Sequence, residues 1–226
     1  MRIVFVRHGE PNYEKDCLTP LGRLQAEAAA ERLTGEGIEA IYSSPFGRAK
    51  ETAVIASEQL SVEPVQIIED MRELRWGSRD GRETFANGHP WSIVDALSAS
   101  GWDLTSTGWP DHPWFANNTV TEEVFRVARA TDSWLASLGY ARNGAYYRCE
   151  RENTRTVALF GHGGSGAAVI ARILNLPFPY VCATMHFHLT GITILRLDAR
   201  AGSQVLPCME LVNDGKHVQH LPSLIP

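Results

Sequence analysis

The 226-residue sequence predicts an α/β fold, a three-layer αβα sandwich with a mostly parallel central sheet. Two observations predict it. Short β-branched runs alternate with helical stretches, the order that gives parallel strands, right-handed crossovers and helices on both faces. Two of those strands also run straight into His- and Arg-bearing turns, and ligands bind at the carboxyl ends of strands in such sheets.

The elements follow in order. Arg2 to Val6 is β-branched and aromatic without polar alternation, so it reads as a strand buried on both faces. Arg7 to Leu18 is polar, contains Pro11 and reads as loop. Thr19-Pro20 opens a helix, with Thr as N-cap and Pro at the first helical position. Leu21, Leu24, Ala28 and Leu33 mark its apolar face, and Gly35 and Gly37 stop it. Ala40 to Tyr42 is a second strand, leading into Ser43-Ser44, and a helix follows from about Phe46 to Leu60. Val65 to Ile68 is a third strand.

Residues 77 to 118 break this rhythm. Gly77, Gly81, Gly88, Gly101 and Gly108 sit among Pro90, Pro110 and Pro113, and the stretch supports one short helix near Trp91 to Leu97. A long helix then runs to about Leu138, with capping-box chemistry at Thr119 or Thr121. Thr156 to Phe160 is a strand, and Gly163 to Leu174 is an almost wholly apolar, hence buried, helix. Thr190 to Leu197 and Val205 to Leu211 are late strands expected to pair at an edge. The expected organisation is a single domain over 1–226 with an insertion at about 78–118.

Composition narrows the function classes. A hydrophobic share of 44% with 21% charged residues excludes a disordered chain. A net charge of -5 argues against nucleic-acid binding. No apolar run is long enough to span a bilayer, and Ile3 to Val6 is too short for a signal-peptide core, so no membrane partner and a cytoplasmic location are expected. Cys17, Cys149, Cys182 and Cys208 are scattered, which reads as free thiols in a reducing compartment. All six Trp fall between Trp76 and Trp134, so the aromatic weight lies in the middle of the chain.

Arg7-His8-Gly9-Glu10 ends the first strand, and Gly161-His162-Gly163-Gly164-Ser165-Gly166 follows a later one. The glycines let backbone approach a ligand, and the helix starting there points N–H groups and a positive dipole end at it. Ser43-Ser44-Pro45-Phe46-Gly47-Arg48 adds a second Arg on the same rim. Two His, two Arg and a helix start suit an anion, and a phosphoryl group best: Arg grips its oxygens in pairs, and neutral His can attack phosphorus.

These boxes resemble the histidine phosphatase, or phosphoglycerate-mutase-like, superfamily. Arg7-His8-Gly9-Glu10 matches its signature, and Leu18-Thr19-Pro20-Leu21-Gly22 with Gln25-Ala26, Ser43-Ser44-Pro45 to Thr52, and Gly161-His162-Gly163 match further positions in order. The likeness covers roughly residues 1 to 77 and 156 to 197. It implies that His8 is the nucleophile forming a phosphohistidine, and that Arg7, Arg48 and His162 neutralise the phosphoryl oxygens. It implies that Glu73 is the proton donor, with Trp76 as an apolar neighbour. Asn12 and Gly163 are further candidate phosphate contacts. Arg and His supply the positive charge, so no metal and no cofactor is expected. The partners implied are a small phosphorylated substrate and, as product, inorganic phosphate; oligomeric state is not readable.

Within that family the reading is a metal-independent phosphomonoesterase, a histidine acid-type phosphatase. The alternatives are a cofactor-dependent phosphoglycerate mutase and a non-catalytic phospholigand-binding protein. Gly164 stands where mutases usually carry Asn, and Pro11-Asn12-Tyr13 reaches Leu18-Thr19 quickly; both favour hydrolysis. Intact His8, Glu73 and His162 speak against a mere binder. Glu10 is expected to orient the loop rather than react. His186 and His188 read as pocket-edge residues more than metal ligands. Arg75, Arg79 and Arg82 are candidate substrate contacts. Trp91, Trp102, Trp109 and Trp114 lie in the insertion and either pack it to the body or, some of them, form an aromatic wall over the pocket, and Trp134 reads as core.

Overall fold

A computed structural model describes residues 1–221. In chain order the elements are β1 (Arg2–Arg7), β2 (Pro11–Asn12), β3 (Cys17–Leu18), α1 (Pro20–Leu33), β4 (Ile38–Ser43), α2 (Gly47–Leu60), β5 (Val65–Ile67), α3 (Pro90–Ala99), α4 (Pro113–Ala116), α5 (Thr119–Ser137), β6 (Tyr140–Asn143), β7 (Tyr146–Cys149), β8 (Thr156–Gly161), α6 (Gly163–Leu174), α7 (Phe178–Thr184), β9 (Ile192–Arg196), β10 (Gln204–Val205) and β11 (Cys208–Asp214). The central sheet has the order β11-β9-β1-β8-β4-β5. β8 pairs in parallel with β1 and β4, and β4 with β5. β9 runs antiparallel to both β1 and β11. The sheet is therefore mixed but mostly parallel, as the alternation of elements predicts.

Alternation along each buried strand builds the layers. Ile3 and Phe5 of β1, with Leu159 of β8, face a core shared with α3, α5, α6 and α7. Val4 and Val6, with Ala158 and Phe160, face the opposite core against α1 and α2. Among the described residues, no single helix is long and apolar enough to cross a membrane.

Three local expectations need correction. The buried face of α1 is Ala26, Ala29, Ala30 and Leu33, and Leu24 is exposed. These positions obey the i, i+3, i+4, i+7 rule, and small side chains allow close approach to α2, so alanine outranks leucine here. The cap of α5 is Asn118, not Thr119 or Thr121: its Oδ1 accepts from Val120 N and Gly77 N while its Nδ2 donates to Gly88 O. Val205 to Leu211 is two strands. Val205 pairs with Tyr147 in a separate small sheet, and only from Cys208 does the chain join β9 at the edge, because Leu206 and Pro207 break the run. The β6–β7 hairpin and α7 carry weak sequence periodicity and emerge only in the fold.

The middle segment contains α3 over the predicted short helix, and a single further turn, α4. Trp109 is buried against Phe115 and Phe178. Trp114 stacks on Phe85, with ring centroids 4.1 Å apart. Trp134 is core, edge-on to Tyr42.

Candidate active site

Strand register brings the chemistry together. Arg7 lies opposite Gly161, and Ser43 opposite Phe160. Parallel neighbours that end level place His8, His162 and Ser44 side by side just past the sheet. His8 N donates to Gly161 O at 3.0 Å, and the two imidazole centroids are 5.2 Å apart.

His8 is almost fully buried. Its Nδ1 lies 2.6 Å from Gly9 O, and a carbonyl can only accept, so Nδ1 carries the proton and Nε2 carries the lone pair. Arg48 Nε donates to that Nε2 at 3.4 Å. Burial pushes the imidazole down to about 3, although its bond to Gly9 opposes this, and the Arg7 and Arg48 charges push the same way. His8 is thus a neutral imidazole with an oriented lone pair at ordinary pH.

His162 is buried too, and burial first, then its cationic neighbours, hold it well below the usual histidine range. Ser44 Oγ accepts from Phe46 N and lies 2.7 Å from His162 Nε2. His162 Nδ1 is buried and has no protein partner among the described residues. Arg7 Nη1 donates to Phe187 O at 2.5 Å, while its buried Nε is likewise unpartnered.

The other boxes serve as scaffolding. Glu10 Oε1 accepts from Thr19 Oγ1, its N donates to Gln25 Oε1, and its carbonyl accepts from Thr19 N. The Leu-Thr-Pro run therefore holds the His8 loop, and Glu10 orients rather than reacts. Thr52 Oγ1 accepts from Gly9 N and donates to Arg48 O. Side chains at Gly9 and Gly22 would collide with each other's backbone surroundings, at 2.3 Å from Gly22 O and 2.1 Å from Glu10 O. Glycine is what lets loop and helix meet.

Glu73 differs from expectation in its setting. Its Oε1 accepts from Ser165 N at 2.7 Å and Leu74 N at 2.8 Å, and its Oε2 from Gly164 N at 3.2 Å. Gly164 N and Ser165 N at the start of α6 are therefore taken by a protein carboxylate rather than held open for a ligand. Trp76 is half exposed and sits edge-on to His89, so backbone N–H groups rather than an apolar ring dominate around Glu73. A Cβ at Gly164 would stand 2.7 Å from Glu73 Oε1 and 3.1 Å from Leu74 Cδ1. Glycine at that position follows from the Glu73 contact.

Arg7, Glu73 and Gly163 line a cleft of about 430 Å³ with Tyr13, Trp76, His89, Trp91, His186, Phe187 and His188. Trp91 and Trp76 flank His89, with centroids 5.6 and 5.1 Å from its ring. The aromatic wall is therefore Trp76, His89 and Trp91; Trp109 and Trp114 pack elsewhere. His186 and His188 stand at the pocket edge, and no metal-holding group of side chains is found among the described residues. Arg75, Arg79 and Arg82 are not among the cleft-lining residues but pair with Glu123, Glu122 and Asp80. Asn12 sits on the β2–β3 hairpin, its Oδ1 accepting from Lys15 N. Sequence reasoning overlooked Tyr13, whose ring lies 5.3 Å from the Arg48 guanidinium, and Asp16, which binds Arg48 at 2.5 Å. Hairpin positions carry no periodic signal, so no pattern marks them.

A neutral imidazole between two arginines, at the carboxyl rim of a mostly parallel sheet, is machinery for moving phosphoryl groups. The chain belongs to the histidine phosphatase superfamily (branch 1), whose family model matches residues 3–207. As a member it is a phosphatase, a phosphoric monoester hydrolase. It is 33% identical over 213 residues, 90% of this chain and 93% of the relative, to a Hydrogenobacter thermophilus protein named "Putative phosphoserine phosphatase 2". It is 30% identical over 188 residues, 78% of this chain and 75% of the relative, to a glucosyl-3-phosphoglycerate phosphatase of Mycolicibacterium vanbaalenii. Among solved structures, a mycobacterial glucosyl-3-phosphoglycerate phosphatase with inorganic phosphate superposes with a TM-score of 0.65 at 26% identity, covering 96% of this chain and 99% of that one.

Proposed function

We propose that the enzyme hydrolyses phosphomonoesters of small metabolites through a phosphohistidine at His8. One observation carries the reading: Gly9 O fixes the His8 proton on Nδ1, leaving the Nε2 lone pair beside Arg48 in a buried, neutral ring. Nε2 attacks phosphorus, and the bond from phosphorus to the leaving oxygen breaks. Glu73, beside Arg7 in the same cleft, enters this step as the carboxylic acid, its proton on the Oε2 lone pair that Gly164 N leaves free, and delivers that proton to the leaving oxygen. Glu73 then takes a proton from water, whose oxygen attacks phosphorus. The P–N bond breaks, its electron pair returns to Nε2, and inorganic phosphate leaves. Arg7, Arg48, His162 through a protonated Nδ1, and Gly163 N hold the phosphoryl oxygens, so positive charge is present without a metal. Asn12 Nδ2 is a further donor at the rim.

The named relatives act, by their names, on phosphoserine and glucosyl-3-phosphoglycerate, which supports a small phosphorylated metabolite here. We place the leaving group against Trp76, His89 and Trp91, and read residues 78–118 as an insertion that shapes this side of a single domain. Free thiols support a cytoplasmic location.

The test is release of p-nitrophenol from its phosphate ester in chelator, for wild type and His8→Ala. The variant should lose about 10³-fold or more in kcat. Equal rates refute the mechanism. Interconversion of 3- and 2-phosphoglycerate with 2,3-bisphosphoglycerate present would point to a mutase instead, against which the crowding at Gly164 argues.

A further inference from the structure

Glu73 sits in a segment with no regular hydrogen-bond ladder. A single turn ends at Met71, and residues 72 to 76 belong to no helix or strand. Something else must hold the backbone while its carboxylate meets the start of α6. The structure offers one device for this, on α5.

Arg126 of α5 is buried. Its Nη1 donates to Asp70 O, and its Nη2 to Arg72 O at 3.3 Å and Glu73 O at 3.5 Å. The same Nη2 bonds Glu123 Oε2 at 2.7 Å, one turn earlier on α5. Glu123, with a side chain 6% exposed, also accepts from Arg75 N at 3.4 Å and from the Arg75 guanidinium at 3.3 Å. Burial pushes the Glu123 carboxyl up, but Arg126, Arg75 and Arg72 outweigh that and keep it below its ordinary range. The pair thus grips the main chain on both sides of Glu73, at Asp70 and Arg72 before it and at Arg75 after it.

We infer that the Glu123–Arg126 pair is a positioning device for the proton donor, clamping residues 70–75 so that the Glu73 carboxylate reaches both the α6 start and the leaving oxygen. The inference rests on the reading of Glu73 as that donor. Buried ion pairs add little net stability over apolar residues of equal volume, so a pair spent on main-chain carbonyls has a geometric use. Arginine suits the task because one planar fork reaches several acceptors at fixed angles.

A leaving-group series separates positioning from mere support. p-Nitrophenolate leaves readily without a proton, whereas phenolate leaves far less well and depends on the acid. Both esters present an aryl ring to the same cleft. The variants are E123Q/R126M, which removes both charges together, and R126K, which keeps the charge but loses the fork. Thermal melts select preparations that are folded. The expected result is a loss in kcat/KM on phenyl phosphate about tenfold or more beyond that on p-nitrophenyl phosphate, smaller but in the same direction for R126K. E73Q should show the same selectivity, and adding E73Q to E123Q/R126M should deepen it no further. If E73Q is selective but folded E123Q/R126M loses both substrates equally or neither, the clamp is refuted while the donor stands. If E73Q shows no selectivity, the donor assignment falls, and the clamp with it.

Discussion

Asp16 offers the sharpest test of how the site is held. It lies in the turn between β2 and β3 at φ +49°, and both its oxygens are used. Oδ1 accepts from Arg48 Nη1 at 2.5 Å, and Oδ2 from Gly47 N, the first residue of α2, at 2.6 Å. Phe46, at the N-cap, makes no side-chain cap bond, so Asp16 caps α2 from outside. Loss of a cap and its charge–dipole contact costs about 1 kcal/mol. Loss of the charged bond to Arg48 adds about 1–2 kcal/mol, discounted because the Asp16 side chain is 39% exposed. The sum is about 2–3 kcal/mol, and at roughly 2–4 °C per kcal/mol for a chain of this size the melt should fall about 5–10 °C. Activity should fall as well. Arg48 contacts His8 Nε2, and on the proposed mechanism a guanidinium released from its anchor no longer meets the phosphoryl group in one place. The expected loss in kcat/KM is about 10- to 100-fold. D16G is the clean variant, since glycine accepts the positive φ without strain. D16N keeps the turn and one acceptor but no charge, and should fall between D16G and wild type. Calorimetric melts and p-nitrophenyl phosphate kinetics read both quantities. A D16G enzyme with the melt and kcat/KM of wild type refutes the reasoning.

Two more outcomes follow from the same geometry. His8 is held at about 3 in the fold against an ordinary 6.5, so the unfolded chain takes up a proton that the folded chain refuses as pH falls between those values. The stability present above pH 6.5 is lost through that window at up to about 1.4 kcal/mol per pH unit from His8, with His162 acting in the same direction. H8N should therefore flatten the decline of urea midpoints from neutral to mildly acid pH, and an unchanged slope counts against the buried neutral imidazole. Among the tryptophans, W109A should cost about 3–5 kcal/mol, because a 6%-exposed ring is lost, while relative rates across a phosphomonoester panel stay put. W91A should do the reverse, and a panel profile unchanged in W91A removes the aromatic wall from substrate choice.

Much of the architecture is written in local pattern. The alternation of strands and helices set the layers, since each apolar run needs a partner layer to bury it. The His8 and His162 turns were legible as a site because strand ends are where such sheets present ligands. Local patterns did less well where small residues pack, as on α1, and at the start of α5, where Asn118 caps the helix and also bonds the distant Gly77 and Gly88.

Which groups meet is settled by packing in three dimensions. The register of β1, β8 and β4 sets His8, His162 and Ser44 level with one another. The crossing of α6 beside residue 73 gives Gly164 N and Ser165 N to Glu73 rather than to a ligand. Only packing shows that Trp91 and Trp76 face the cleft while Trp109 and Trp114 do not. The grip of Arg126 on Glu73 spans 53 positions of chain, and Asp16 reaches Arg48 across 32. Such contacts leave no period in the sequence, because hydrogen bonds and charge act through space, whereas the patterns that can be read along a chain report only its neighbours.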